Sequence, residues 1–264
     1  MPPPVIITDN HLHLDRRGLY LEAAQQFQRA GGTRIILVQK PSFPSTLSEF
    51  TAQVEDTLAT CHHIPVECYP VIGLHPAEFD RLYNSGKKEL CYEILDTVKT
   101  YIEEKKAVAM GEFGTPHYPV SPDTYAEARQ YMIEALHVSR ECDCPIQLHT
   151  ESLDNPGIQT LDTLVRTLGC TKVIKHFSSP EIGLYETMIP SVLATESNIE
   201  KALTYDTPFL METDYIDDPK RPGAVLGPKT VPRTTQKLLN KGILSTGRAH
   251  EIHEELVQSL YSLQ

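Results

Sequence analysis

The stretch that decides the fold is Val5-Ile6-Ile7-Thr8-Asp9-Asn10-His11-Leu12-His13. Its β-branched apolar start reads as a strand, and the strand runs directly into a polar turn. In an open dinucleotide-binding sheet the first turn would carry a glycine fingerprint. Here it carries Asn10-His11-Leu12-His13. Side chains at i and i+2 share one face of a strand, so the imidazoles of His11 and His13 can converge on one point. Neutral imidazole is a common ligand for zinc and similar ions.

The same grammar recurs along the chain. Further strand candidates are Arg34–Val38, Glu67–Leu74, Ala107–Glu112, Pro145–His149, Lys172–His176, Ile189–Ala194 and Phe209–Asp214. Amphipathic patterns at Leu21–Ala30, Leu47–Thr60, Lys88–Lys105, Pro122–Glu141, Ile158–Leu168 and Asn198–Leu203 alternate with them, and two more follow near Thr234–Asn240 and Arg248–Leu260. Thr46 with Glu49 reads as a capping box, Ser121-Pro122 as an N-cap with proline at the first helical position, and Gly31-Gly32 as a helix stop. Strand–helix alternation implies parallel strands covered by helices. Eight such units predict an α/β fold of the (β/α)8 TIM-barrel type. The 264 residues fit one barrel of about 250 residues, so a single domain over 1–264 is expected.

Position then selects the chemistry. Glu112, His149, His176 and Asp214 each close a predicted strand, and in a barrel those ends share the rim where active sites sit. With His11 and His13 they make six nitrogen and oxygen donors on one rim. That is more than one ion needs, and it suits two ions sharing a carboxylate.

These residues lie in an ordered series of short motifs: Asp9-Asn10-His11-Leu12-His13, Gly73-Leu74-His75-Pro76, Gly111-Glu112-Phe113-Gly114, Gln147-Leu148-His149-Thr150, Lys175-His176-Phe177-Ser178 and Met211-Glu212-Thr213-Asp214. The series spans nearly the whole chain and resembles the TatD family of metal-dependent hydrolases, within the amidohydrolase-like barrels. The resemblance implies a TIM-type barrel, two divalent ions (Zn, Mn, Mg or Ni) and hydrolytic activity, of which metal-dependent deoxyribonuclease action is the best known. It implies that His11, His13 and Asp214 hold one ion, and that Glu112 bridges to a second held by His149 and His176. His75 would sit beside the site without ligating. Asp214 is the expected general base. His75 and His117 are candidate donors to the substrate or its leaving group.

The chain departs from the family pattern in two loops. Gly114-Thr115-Pro116-His117 replaces the usual Gly-Leu-Asp, and Tyr215–Arg233 replaces an Asn-rich segment. Both would touch substrate, which makes His117 a candidate contact and Tyr215–Arg233 a candidate loop over the mouth. Phosphodiester cleavage of DNA is the leading expectation, with Lys220, Arg221, Lys229 and Arg233 available at the mouth. The alternative is hydrolysis of a small-molecule amide, ester or lactone. A third, a barrel that only binds, has little use for a full donor set.

Composition constrains the partners. Thirty-five acidic and 24 basic residues give a net charge of −11, which argues against a broad basic surface for nucleic acid. It leaves open a local site whose bound ions reverse the sign. No CxxC occurs among Cys61, Cys68, Cys91, Cys142, Cys144 and Cys170, so free thiols in a reducing compartment are expected. Met1–Thr8 has no signal-peptide pattern, and no run of about 18 apolar residues exists. A cytoplasmic protein with no membrane segment and no obligate protein partner is therefore expected. His62, His63, His137, His250 and His253 fall in or beside helical patterns and read as surface or structural.

Overall fold

The computed structural model describes residues 5–221 and 225–263. Among them nine strands form one wholly parallel sheet. They are β1 (Thr8–His13), β2 (Arg34–Val38), β3 (Glu67–Ile72), β4 (Ala109–Gly114), β5 (Ile146–His149), β6 (Val173–Ser178), β7 (Ile189–Leu193), β8 (Leu210–Glu212) and β9 (Tyr215–Ile216). Neighbours in sequence pair in space from β1 to β8, and β9 pairs with β1. Only Thr213 and Asp214 separate β8 from β9, so one stretch of chain meets both edges and closes the barrel. Asp214 N–H donates to the His11 carbonyl at 2.9 Å, and Thr213 N–H to Asp9 Oδ1 at 3.0 Å, across that seam. The expected barrel is present, with its last strand broken where Asp214 stands.

Strands buried on both faces are rich in apolar residues, and β2 is buried at all five positions, Ile35–Val38 apolar and Arg34 paired with Glu67 at 2.7 Å. The helices are α1 (Leu21–Arg29), α2 (Leu47–His63), α3 (Pro76–Asn84), α4 (Lys88–Glu103), α5 (Pro122–Glu141), α6 (Asn155–Thr167), α7 (Glu196–Ala202), α8 (Thr230–Asn240), α9 (Thr246–His250) and α10 (Leu256–Tyr261), the last two joined by a π-helical turn. Their apolar stripes follow the helical repeat. In α4 the buried residues are Cys91, Ile94, Leu95, Val98, Tyr101 and Ile102. All six cysteines are free thiols.

Three expectations need correction. The helix α3 was not foreseen, although Pro76 at its first position and Glu78 in its first turn are ordinary start signals. At α2, Thr46 Oγ1 accepts from Glu49 N–H as expected, but Glu49 answers Ser45 N–H rather than Thr46. The reciprocal box is at α3 instead, where His75 Nδ1 accepts from Ala77 N–H and Glu78 Oε2 from His75 N–H. Tyr215–Arg233 is not loop throughout: it begins as β9 and ends in the first turn of α8, while residues 222–224 lie outside the described residues. Among the described residues no helix is long and apolar enough to cross a membrane.

Candidate metal centre

Local irregularities aim the site residues. The strand register shifts between Asp9 and Leu12, between Gly111 and Phe113, and between Lys175 and Ser178. These intervals hold His11, Glu112 and His176. An extra residue in one strand kinks it and turns a side chain, which is why such bulges cluster beside active sites. Gly114 has the same origin. Its φ is +152°, and a Cβ there would lie 1.7 Å from the His149 carbonyl oxygen. Only glycine lets the ends of β4 and β5 close enough for Glu112 and His149 to meet.

The six predicted donors converge. His11 Nε2 and His13 Nε2 are 3.1 Å apart. Glu112 Oε2 is 3.8 and 3.5 Å from those two nitrogens, and Asp214 Oδ1 is 3.8 Å from each. His176 Nε2 faces both acids, 3.6 Å from Glu112 Oε1 and 3.8 Å from Asp214 Oδ1. His149 Nδ1 is 2.8 Å from Glu112 Oε1. Three overlapping groups have ligand atoms within 4.8 Å of one another: His11, His176 and Asp214; His11, His13 and Glu112; and His75, Glu112 and His149.

The grouping differs from the expected partition, because His176 joins His11 and Asp214 while His75 stands beside Glu112 and His149. Protonation separates ligand from donor. His11 Nδ1 meets the Gln147 amide oxygen at 2.6 Å, His13 Nδ1 the Val38 carbonyl at 3.0 Å, and His176 Nδ1 lies 2.8 Å from Glu212 Oε1. On His11 and His13 the acceptor at Nδ1 keeps the proton there and leaves the Nε2 lone pair facing the centre. His75 is the reverse. Its Nδ1 accepts the N–H of Ala77 at 3.0 Å, so the neutral ring carries its proton on Nε2 and offers a donor, not a lone pair. His117 is exposed, with Nδ1 2.8 Å from His149 Nε2.

The electrostatics suit a cation. Burial pushes His11 down to about 3 and lowers His13 and His176, so these imidazoles stay neutral with free lone pairs. Burial raises Asp214 well above its ordinary value, and Glu112 and Asp9 beside it push it further. Burial also opposes the charge on Glu112, yet His11, His75 and His149 outweigh it and hold that carboxyl well below the usual range. A neutral imidazole set around two crowded carboxylates is a donor set that a divalent ion fits, since positive charge relieves the repulsion that protonation would otherwise remove.

Several supporting residues were missed from sequence. Asp9 accepts from Thr213 through both carboxylate oxygens and from His11 N–H. Gln147 orients His11, and Glu212 lies against His176. Each stands two residues before a predicted donor: Asp9 before His11, Gln147 before His149, Glu212 before Asp214. The i, i+2 rule that paired His11 with His13 reaches this lower layer when applied once more. Of the basic residues expected at the mouth, only Arg221 lines the cavity of about 410 Å³ over the centre, joined there by Lys40. Lys229 and Arg233 line a different surface cleft, with Glu22 and Arg29, because the turn of α8 carries them away.

The chain matches the family model described as TatD related DNase over residues 8–262. It is 34% identical over 269 residues to the uncharacterized protein MJ1127 of Methanocaldococcus jannaschii, covering 97% of this chain and 96% of that one. It is 21% identical over 175 residues to human deoxyribonuclease TATDN3, covering 64% and 60%. In structure it resembles YjjV, a TatD homologue of Escherichia coli, with a TM-score of 0.68 at 18% identity over 98% of both chains. With a family match over almost its full length and the donor set in place on a barrel rim, this chain belongs to the TatD-related DNase family of hydrolases.

Proposed function

We propose that the protein is a divalent-metal-dependent phosphodiesterase that cleaves DNA ends or short single strands at a two-ion site. The reading is carried by one observation. Four imidazoles and two carboxylates meet at one rim, with the nitrogens of His11 and His13 that face the centre left free of protons by acceptors behind them. In this reading His11, His13, Glu112, His149, His176 and Asp214 would hold the ions. The ions, when bound, activate water and draw charge from the oxygens of the electrophile.

The chain's own groups do the rest. Asp214 sits at the break between β8 and β9, held by its N–H on the His11 carbonyl, and its raised proton affinity suits a general base. His75 presents an Nε2–H donor beside Glu112 and His149, placed to bind a phosphoryl oxygen. His117 lies one hydrogen bond further out, where a leaving group would depart.

A second reading, hydrolysis of a small amide, ester or lactone, is favoured by the mouth charges. Lys40 is bound to Asp15 at 2.9 Å and Arg221 to Asp218 at 2.9 Å, so each cation already has an acid partner. A long DNA backbone would find little free positive charge there. This is why the substrate is proposed as an end or short strand.

The test offers the purified protein, with Mn²⁺, Mg²⁺ or Zn²⁺, labelled single-stranded DNA together with a panel of esters and lactones. Cleavage of DNA that disappears in His11→Ala and Asp214→Asn is the expected result. Turnover confined to the esters or lactones would replace the phosphodiesterase reading with the second one.

A further inference from the structure

We infer that Phe43 and Phe177 form a stacking site for the base of a nucleotide whose phosphate lies at the metal centre. The inference rests on the phosphodiesterase reading and adds to it a way of recognising the substrate. Both rings line the cavity that contains His13, His75, Glu112 and Asp214. They are 40% and 46% exposed, in a protein whose other phenylalanines at 27, 50, 79, 113 and 209 are buried. A single exposed apolar ring is ordinary, whereas two at one mouth call for an occupant.

Their backbones make the case stronger. Phe43 has φ +60° and Phe177 φ +52°, a left-handed region that bulky side chains rarely enter. Such conformations persist only where the surroundings impose them, and they gather at ligand clamps. Here the surroundings are two buried carboxylates. Glu78 Oε1 accepts the N–H of Phe43 at 2.7 Å, and Glu212 Oε1 the N–H of Phe177 at 2.8 Å. Glu78 also accepts the N–H groups of Ser42 and His75, and Glu212 lies against His176. Each ring is thus tied by one carboxylate to a histidine of the site beneath it.

The chemistry of the mouth selects a flat group joined to an anion. The Arg81 guanidinium lies 5.6 Å from the centre of the Phe43 ring. Lys40 and Arg221 line the same cavity, each beside an acid partner, a supply of positive charge that suits one phosphate rather than a run of them. Every nucleobase has a π-face, so stacking on phenylalanine would be tolerant of sequence. An aliphatic acyl group would gain contact from the rings but no stacking.

The experiment measures binding, not turnover. Mn²⁺-loaded protein is titrated calorimetrically with thymidine 5′-monophosphate and with 2-deoxyribose 5-phosphate, which lacks the base. The wild type is expected to prefer the nucleotide by about fivefold or more. Phe43→Ala with Phe177→Ala should bring the two affinities together, with metal content and circular dichroism unchanged, and Phe→Tyr at both positions should restore the preference. Equal affinities in the wild type, or a preference that survives the double alanine variant, would overturn the stacking site while leaving phosphodiester cleavage standing. If neither phosphate binds and no phosphodiester is cleaved, the reading beneath it falls and the inference with it.

Discussion

The amide oxygen of Gln147 lies 2.6 Å from Nδ1 of His11, and the amide nitrogen of the same side chain donates to the Asn10 carbonyl at 3.1 Å and to the Tyr261 hydroxyl at 2.8 Å. The two donations fix which end of the amide is oxygen, and the oxygen in turn fixes the tautomer of His11. Tyr261 hydroxyl donates to Asn10 Oδ1 at 2.8 Å, closing the network. The C-terminal helix therefore helps to set the orientation of a metal-type ligand on the first strand. Replacing Gln147 by Leu removes the acceptor and leaves a buried N–H unsatisfied. Affinity for Mn²⁺ or Zn²⁺, read by calorimetry, should fall by about 10–100-fold, with Gln147→Glu retaining more of it. Wild-type affinity in Gln147→Leu would deny the residue this role.

Burial and the neighbouring Glu112 and Asp9 oppose a charge on Asp214 and raise its proton affinity well above the ordinary value. Asp214→Asn removes that charge while keeping the shape. In chelator-treated protein the variant should melt higher, by roughly 2–4 °C for each kcal/mol of repulsion relieved. Adding divalent ion should reverse the order, because binding to the folded state stabilises the wild type more. A scanning calorimeter reads both. A wild type that is the more stable form without metal contradicts the crowded-carboxylate account.

Gly114 is a steric requirement of the site. A Cβ at this position would lie 1.7 Å from the His149 carbonyl oxygen, on a backbone of φ +152°. Gly114→Ala should therefore separate β4 from β5, lowering stability by about 1–3 kcal/mol or more through strain and lowering metal affinity as Glu112 and His149 part. Urea unfolding followed beside metal titration separates the two effects. A variant with unchanged stability would show that the strand ends move apart freely.

His253 is fully buried, with Nδ1 on the Thr8 backbone and Nε2 on Thr235 Oγ1 at 2.9 Å. Burial pushes it down to about 4 from an ordinary 6.5. Between those values the unfolded chain takes up a proton that the folded protein refuses. Its contribution is thus complete above pH 6.5 and is lost as the pH falls toward 4, by about 3 kcal/mol in all. His253→Gln should flatten that part of the pH–stability curve relative to wild type. Parallel curves for the two proteins would show that His253 does not govern it.

The missed helix α3 and the misplaced cations show where reading along the chain falls short. Pro76 and Glu78 are ordinary helix-start signals, but they overlap Gly73-Leu74-His75-Pro76, where the histidine is the more conspicuous feature. Consequently the tautomer of His75, set by the N–H of Ala77, was out of reach. Lys229 and Arg233 were grouped with Arg221 by proximity in sequence, whereas α8 begins at Thr230 and carries them to another cleft. A helix redirects side chains within a single turn, and proximity along the chain does not carry that.

By itself the sequence determined the alternation of strand and helix, and with it a rim that collects His11, His13, Glu112, His149, His176 and Asp214. Hydrophobic period and strand-end position are local properties, so they survive without coordinates. Tertiary structure alone decided which ring nitrogen of each histidine faces the centre, which acids are crowded, and which aromatic rings stand at the mouth. Those depend on partners such as Gln147, Val38, Glu78 and Glu212, brought in from other strands and helices by barrel closure, and the distance between such partners is not written in their spacing along the chain.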